Sequence, residues 1–248
     1  MHTLVKIILV LLALSVISLS LLFSERKLKE VKCGGLVVTL TENSARIMQE
    51  DELAALVKQA DSSLFDRVLY ALNTEKLERS LEKVSSVKKA EFFRQVYVEG
   101  YELKGRLAVV AELRKPLFRI ISGNDDYYMD EQGVRIERKE NFTARVPVVT
   151  GSAGETYARE RLLPMVRYLA ADRFWLAQVQ QIHVLENGEI QLVQLAGDQL
   201  VEFGEPEGFR IKFRNLKALY MQGFAETGWS RYSKISLKYE NQIVCTKK

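Results

Sequence analysis

The stretch VKKAEFFRQVYVEGYELKGRLAVVAEL, residues 87–113, decides the fold of the first half of the chain. Val87 to Val98 and Leu103 to Leu113 are rich in β-branched and aromatic residues, with Gly100 between them. That composition predicts a pair of antiparallel strands. Upstream, Leu77, Leu81 and Val84 fall at i, i+4 and i+7 behind Asn73 or Thr74, either of which can cap a helix. Leu53, Leu56, Val57 and Ala60 recur at helical spacing behind Glu50, Asp51 and Glu52, whose charges suit a helix amino terminus. Leu36 to Leu40 form a short β-branched run bounded by Gly34-Gly35 and Glu42-Asn43, which predicts a strand. The predicted order is strand, helix, helix, strand, strand.

Downstream the pattern changes to short strands and turns. Tyr127 to Met129, Val134 to Ile136 and Val146 to Thr150 predict strands, with a turn at Asp130 to Gly133. A helix from about Glu155 to Ala170 presents Leu162, Met165, Val166 and Leu169 on one side, and Pro164 either kinks it or marks its first turn. Val179 to Leu185, Ile190 to Leu195 and Leu200 to Phe203 read as an antiparallel meander joined at Asn187-Gly188 and Gly197-Asp198. Phe209, Phe213, Leu216, Tyr220 and Phe224 mark another amphipathic helix. A final long strand is expected from Lys234 to Thr246. In it Ile235, Leu237, Tyr239, Ile243 and Cys245 share one face and Ser236, Lys238, Glu240 and Gln242 the other. By alternation alone this strand is either a free sheet edge or a paired inner strand.

The chain has 248 residues, of which 47% are hydrophobic and 27% charged, close to globular averages. A net charge of +4 without a concentrated basic stripe argues against nucleic acid as the partner. From Ile7 to Phe23 there is no charge, and the only polar side chains are Ser15, Ser18 and Ser20. The run, with Lys6 snorkelling, predicts a retained membrane helix; the rival is a cleaved signal with Ser18-Leu19-Ser20 as its small-x-small site. Lys6 alone precedes the run, whereas Arg26, Lys27, Lys29 and Lys32 follow it, against the usual positive-inside bias. The amino terminus is nonetheless expected in the cytoplasm. Cys33 and Cys245 match no metal-ligand spacing, and whether they pair is open at this level.

Catalytic chemistry finds little support. His2 sits beside the initiator and His183 between Ile182 and Val184, on the opposite face of an alternating strand, which reads as a surface histidine. Gly151-Ser152-Ala153-Gly154 lacks the GxSxG order of a nucleophile elbow and reads as a strand-to-helix loop. Asp125, Asp126, Asp130 and Glu131 lack calcium-loop spacing and read as polar turns beside an edge strand. No phosphate-binding glycine motif occurs. Trp175 and Trp229 read as core anchors rather than interface hot spots. No enzymatic activity, cofactor, metal or small-molecule substrate is expected.

The ordered elements resemble the bacterial cell-division protein family FtsQ, also called DivIB, in the form found in the Bacteroidetes lineage. The resemblance rests on Glu112-Leu113-Arg114-Lys115-Pro116, Tyr127 to Gly133, Val146 to Gly151 and Lys238 to Cys245. It implies an α+β chain with a transmembrane helix, a POTRA-like β-α-α-β-β module, then an antiparallel β-rich module with two or more helices. The implied organisation is a cytoplasmic tail at 1–6, a transmembrane helix at 7–23 and a juxtamembrane linker at 24–34. A POTRA-like domain at 35–118 and an FtsQ-type β domain at 119–248 complete it. It further implies a scaffold of the divisome at the septum, anchored in the inner membrane with a periplasmic ectodomain. That scaffold docks FtsB-like and FtsL-like proteins, and through them FtsW and FtsI. The strand from Lys234 to Thr246 is then expected to be a sheet edge that accepts a strand from the FtsB-like partner, and the partner-binding residues carried over are Lys238, Tyr239, Glu240, Asn241, Gln242 and Ile243. The alternatives are a POTRA-bearing component of an envelope protein assembly or secretion system, and an anchored envelope hydrolase.

Overall fold

The computed structural model describes residues 2–224, 228–239 and 242–248, leaving aside the side chains of 2–6, 21 and 23–25. The chain divides into two compact units, Met1–Leu113 and Arg114–Lys248.

In the first unit, helix α1 (His2–Glu30) is followed by β1 (Cys33–Leu40), α2 (Glu50–Ala60), α3 (Thr74–Glu82), β2 (Val87–Glu99) and β3 (Glu102–Leu113). This is the strand, helix, helix, strand, strand order that the periodicities predict. The three strands form one sheet in the order β1-β3-β2, with β1 parallel and β2 antiparallel to β3. Helices α2 and α3 bury Leu53, Val57, Leu77 and Leu81, and the alternate strand positions Ala90, Phe92, Leu107 and Val109 are buried with them. Asn73, rather than Thr74, caps α3: its side chain accepts the Lys76 N–H at 2.9 Å.

The expected membrane span is corrected. Among the described residues no helix is long and apolar enough to cross a membrane. The charge-free run is helical, and its described side chains from Ile7 to Leu12 are exposed. The expectation also counted Leu21 and Phe23, whose side chains lie outside the described residues. The transmembrane helix, and the single-pass inner-membrane topology built on it with a cytoplasmic tail and a periplasmic ectodomain, are therefore withdrawn.

The second unit is one nine-stranded sheet carrying helices on one face. Its strands are β4 (Pro116–Ser122), β5 (Asp125–Asp130), β6 (Arg135–Glu137), β7 (Val148–Gly151), β8 (Val179–Val184), β9 (Ile190–Gln194), β10 (Leu200–Gly204), β11 (Tyr232–Ser236) and β12 (Val244–Lys247). They lie in the order β12-β11-β10-β9-β8-β7-β4-β5-β6. The sheet is mixed, not antiparallel as expected: β4–β7, β7–β8 and β10–β11 are parallel pairs. Parallel neighbours need a crossover, and two of these pairs are bridged by helices. One bridge is α4 (Glu155–Tyr157), α5 (Leu163–Ala171) and α6 (Arg173–Gln178); the other is α7 (Phe209–Ala218). Between α4 and α5 the chain makes a π turn at Ala158–Leu162. Pro164 has no N–H to donate and its ring crowds the preceding turn, so the widened turn accommodates it without ending the helix.

Inward-facing Phe118, Ile120, Val149, Ile182, Leu192, Val201 and Ile235 meet Met165, Val166 and Leu169 of α5 and Phe213 of α7 in one core. Trp175 stands at its centre, 4.8 Å from the Phe213 ring, and is 1% exposed. Trp229 is only partly buried against the same core.

Candidate functional site

The end of the sheet at β12 positions the residues carried over as partner-binding. A single strand was expected over Lys234 to Thr246, but the chain folds back on itself there. β11 ends at Ser236, β12 begins at Val244, and the two pair antiparallel with Ile235 opposite Cys245 and Ser236 opposite Val244. A strand cannot pair with its own continuation without a reversal; on either side of it the Gln242 N–H lies 3.4 Å from the Tyr239 carbonyl oxygen. Glu240 and Asn241 lie outside the described residues.

The shared face predicted for this segment therefore breaks. Ile235 and Leu237 are buried in the core, whereas Tyr239, of the same parity, has left the sheet and is 60% exposed. Lys238, Tyr239, Gln242 and Ile243 line a cleft of about 290 Å³ together with Ile211, Lys212 and Asn215 of α7. The turn passes close to β10 because Gly204 (φ +74°) carries no Cβ; one added there would stand 3.2 Å from Lys238 Cγ.

Two lysines set the electrostatics of the cleft. Lys238 forms an ion pair with Glu189; the hydrogen bond between them raises the lysine pKa and lowers that of the glutamate. Lys212 donates to the carbonyl oxygens of Phe203 at 3.0 Å and Glu205 at 2.7 Å. Burial lowers its pKa, with Glu207, Glu205 and Glu189 opposing that shift. The wall of the cleft thus offers apolar area at Ile211 and Tyr239, with the two lysines balanced by Glu189 and Glu207 beside it.

Backbone geometry decides what β12 can accept. It is the outermost strand on its side of the sheet. Beyond β11, the Leu237 N–H donates to Glu202 O of β10 at 2.8 Å. By alternation the amides of Lys234 and Ser236 therefore point the other way, toward β12. Their opposite residues, Thr246 and Val244, return the bonds, and the Lys248 N–H continues the series to Arg231 O at 3.1 Å. The N–H groups of Cys245 and Lys247 consequently face away from the sheet, at an unpaired edge. The Cys245 side chain packs on the core margin and burial raises its thiol pKa. Both it and the buried Cys33 are free thiols.

Of the carried-over residues, Lys238, Tyr239, Gln242 and Ile243 form the rim of this edge rather than the edge itself. Val244, Cys245 and Lys247, with Ile211 and Lys212 of α7 and Glu189, were not among the residues carried over as partner-binding. The signal available for the edge was the polar interruption Glu240-Asn241-Gln242, a turn signal inside an alternating run. The α7 residues carry no such mark, since their approach depends on the crossover from β10 to β11.

The other polar constellations are internal to the fold. His183 shares a hydrogen bond of 2.9 Å with Thr150, which also accepts from Gln181 at 2.8 Å. The Gly151 to Gly154 segment joins β7 to α4, and its Ser152 N–H is held by Val184 O at 2.9 Å. Asp126 receives a bidentate bond from Arg119 at 2.7 and 2.6 Å, and Asp130 receives Arg114 at 2.8 Å. Among the described residues no group of three or more His, Cys, Asp or Glu is placed to hold a metal ion. Comparison with known families matches residues 115–246 to the family described as FtsQ/DivIB, C-terminal related. No curated protein matches the chain.

Proposed function

The chain belongs to the FtsQ/DivIB C-terminal-related family, and from that premise we propose that it is a non-catalytic scaffold that docks other polypeptides through the β12 edge. In its finer form the reading is a division scaffold that recruits an FtsB-like protein, with an FtsL-like protein in the same assembly and FtsW and FtsI reached through them. The observation that carries it is the unpaired edge at Cys245 and Lys247 beside the cleft of Tyr239, Lys238 and Ile211. An added strand takes main-chain hydrogen bonds from such an edge, and the adjoining cleft selects its side chains.

The test is proline substitution guided by the backbone. Cys245→Pro and Lys247→Pro each remove an outward amide and leave the internal ladder intact, whereas Thr246→Pro removes an inward one. Tagged full-length chains recovered from dividing cells should retain FtsB-like and FtsL-like coiled coils with the unmodified sequence and lose them with the outward prolines. Recovery of those partners by folded Cys245→Pro and Lys247→Pro variants alike would exclude edge docking. A second reading, a component of a protein assembly or secretion system, is favoured by the lack of a spanning helix among the described residues. Under it the same edge is used, but the proteins recovered are not division coiled coils.

A further inference from the structure

The sheet of the first unit also ends in a strand with a free outer edge, β2, and that edge is treated unequally along its length. The Phe92 N–H donates to Glu78 Oε1 at 3.0 Å and the Ala90 N–H to Glu82 Oε1 at 3.3 Å. Both amides point away from β3, so the outward set on this strand is the even-numbered one: Ala90, Phe92, Arg94, Val96 and Val98. Among the described residues the amides of the last three meet no acceptor.

The spacing explains the match. Residues i and i+4 on a helix are about 6 Å apart along its axis, and alternate residues on a strand about 6.8 Å. Two carboxylates one turn apart therefore reach two successive outward amides when the helix runs antiparallel to the strand. Leu77 and Leu81 of α3 are buried in the core, and Glu78 and Glu82, each one position later, lie along the strand edge. One further turn back would bring residue 74 opposite Arg94, but α3 begins at Thr74, directly after its Asn73 cap. The capping ends where the helix does. At that point the Arg94 guanidinium turns away to the Leu72 carbonyl oxygen at 2.7 Å.

We propose that Glu78 and Glu82 are a guard on the β2 edge that prevents it from pairing with the β2 edge of a second copy of this chain. Without them the outward groups run unbroken from Ala90 to Val98, nine residues of edge, longer than a typical strand. The exposed Phe93, Tyr97 and Val98 would add apolar area to such a pairing. With the guard in place only the five residues from Arg94 to Val98 remain, a length that holds a two-stranded pairing marginally at best. The substituents are side chains, not backbone, so the guard acts without altering the sheet.

Hydrogen exchange resolved to single amides in the full-length chain tests this. In dilute solution Glu82→Ala should speed exchange at Ala90 alone and Glu78→Ala at Phe92 alone, each by about tenfold, the loss expected for one hydrogen bond to a charged acceptor. Inward amides such as Glu91 and Phe93 should keep their protection, which distinguishes loss of the guard from unfolding. In the double alanine variant, raising the protein concentration should restore protection from Ala90 through Val98 as copies pair. The Glu78→Gln, Glu82→Gln variant retains a carbonyl acceptor at each site and should behave as the unmodified chain. Unchanged exchange at Ala90 and Phe92 in the alanine variants would overturn the proposal. So would exchange in the double variant that does not depend on concentration.

Discussion

Replacing Asp130 with alanine should destabilise the second unit by about 3–5 kcal/mol, the range for removing one member of a buried ion pair. The carboxylate is 4% exposed and lies 2.8 Å from Arg114 Nη1, on a side chain only 16% exposed. Its other oxygen accepts the N–H groups of Gln132 and Val134, both at 2.8 Å, and so closes the turn between β5 and β6. Alanine leaves two amides short of an acceptor and leaves the guanidinium, whose Nε is already buried without a partner, only the 3.4 Å bond to Gln132 Oε1. Asparagine retains one acceptor oxygen for the two amides and loses only the charge toward Arg114, so its cost should be smaller, about 1.5–3 kcal/mol. Both tryptophans of the chain, Trp175 and Trp229, lie in this unit, so their fluorescence during urea unfolding reports on it alone. At a slope of about 2 kcal/mol per molar urea, Asp130→Ala should lower the midpoint by roughly 2 M. A shift below about 0.3 M, or a larger loss for asparagine than for alanine, would refute the assignment of the turn to this carboxylate.

Gly133→Val should cost about 1–3 kcal/mol in the same assay, because Gly133 has φ +80° and a Cβ there would sit 3.0 Å from Leu163 Cδ2; an unchanged midpoint would remove the need for glycine. The Arg119 hydrogen bond holds the Asp126 pKa below its ordinary value of 3.8, so its contribution is present above that value and lost as the pH falls through and below it. Asp126→Asn should therefore be less stable than the unmodified chain at neutral pH, with the gap closing in acid. Tyr239→Ala should weaken partner binding by about 2 kcal/mol and Lys238→Ala by about 1 kcal/mol, measured by titration with a purified FtsB-like protein, since Lys238 is partly committed to Glu189. The reverse order would show charge, not packing, to be the main contact.

The sequence by itself determined the elements that local periodicity and capping specify. The strand, helix, helix, strand, strand order of the first unit was legible because Leu53, Val57, Leu77 and Leu81 recur at helical spacing and Gly100 separates two β-rich runs. That His183 faces away from the core was legible for the same reason, since Ile182 and Val184 are both buried. The family resemblance brought Lys238 and Tyr239 into view as docking residues, on the strength of residues and not of geometry. Tertiary structure alone decided the rest, because each remaining feature depends on which strands become neighbours. Two of the parallel pairs follow from helical crossovers, the reversal after Ser236 turns one expected strand into two, and the outward direction of the Cys245 amide is fixed by the Leu237 bond to β10. Alternation gives a side chain its face, but an amide's partner comes only from the strand or helix packed beside it. That is why the outward amides of β12 and the carboxylates along β2 could not be read from the order of residues.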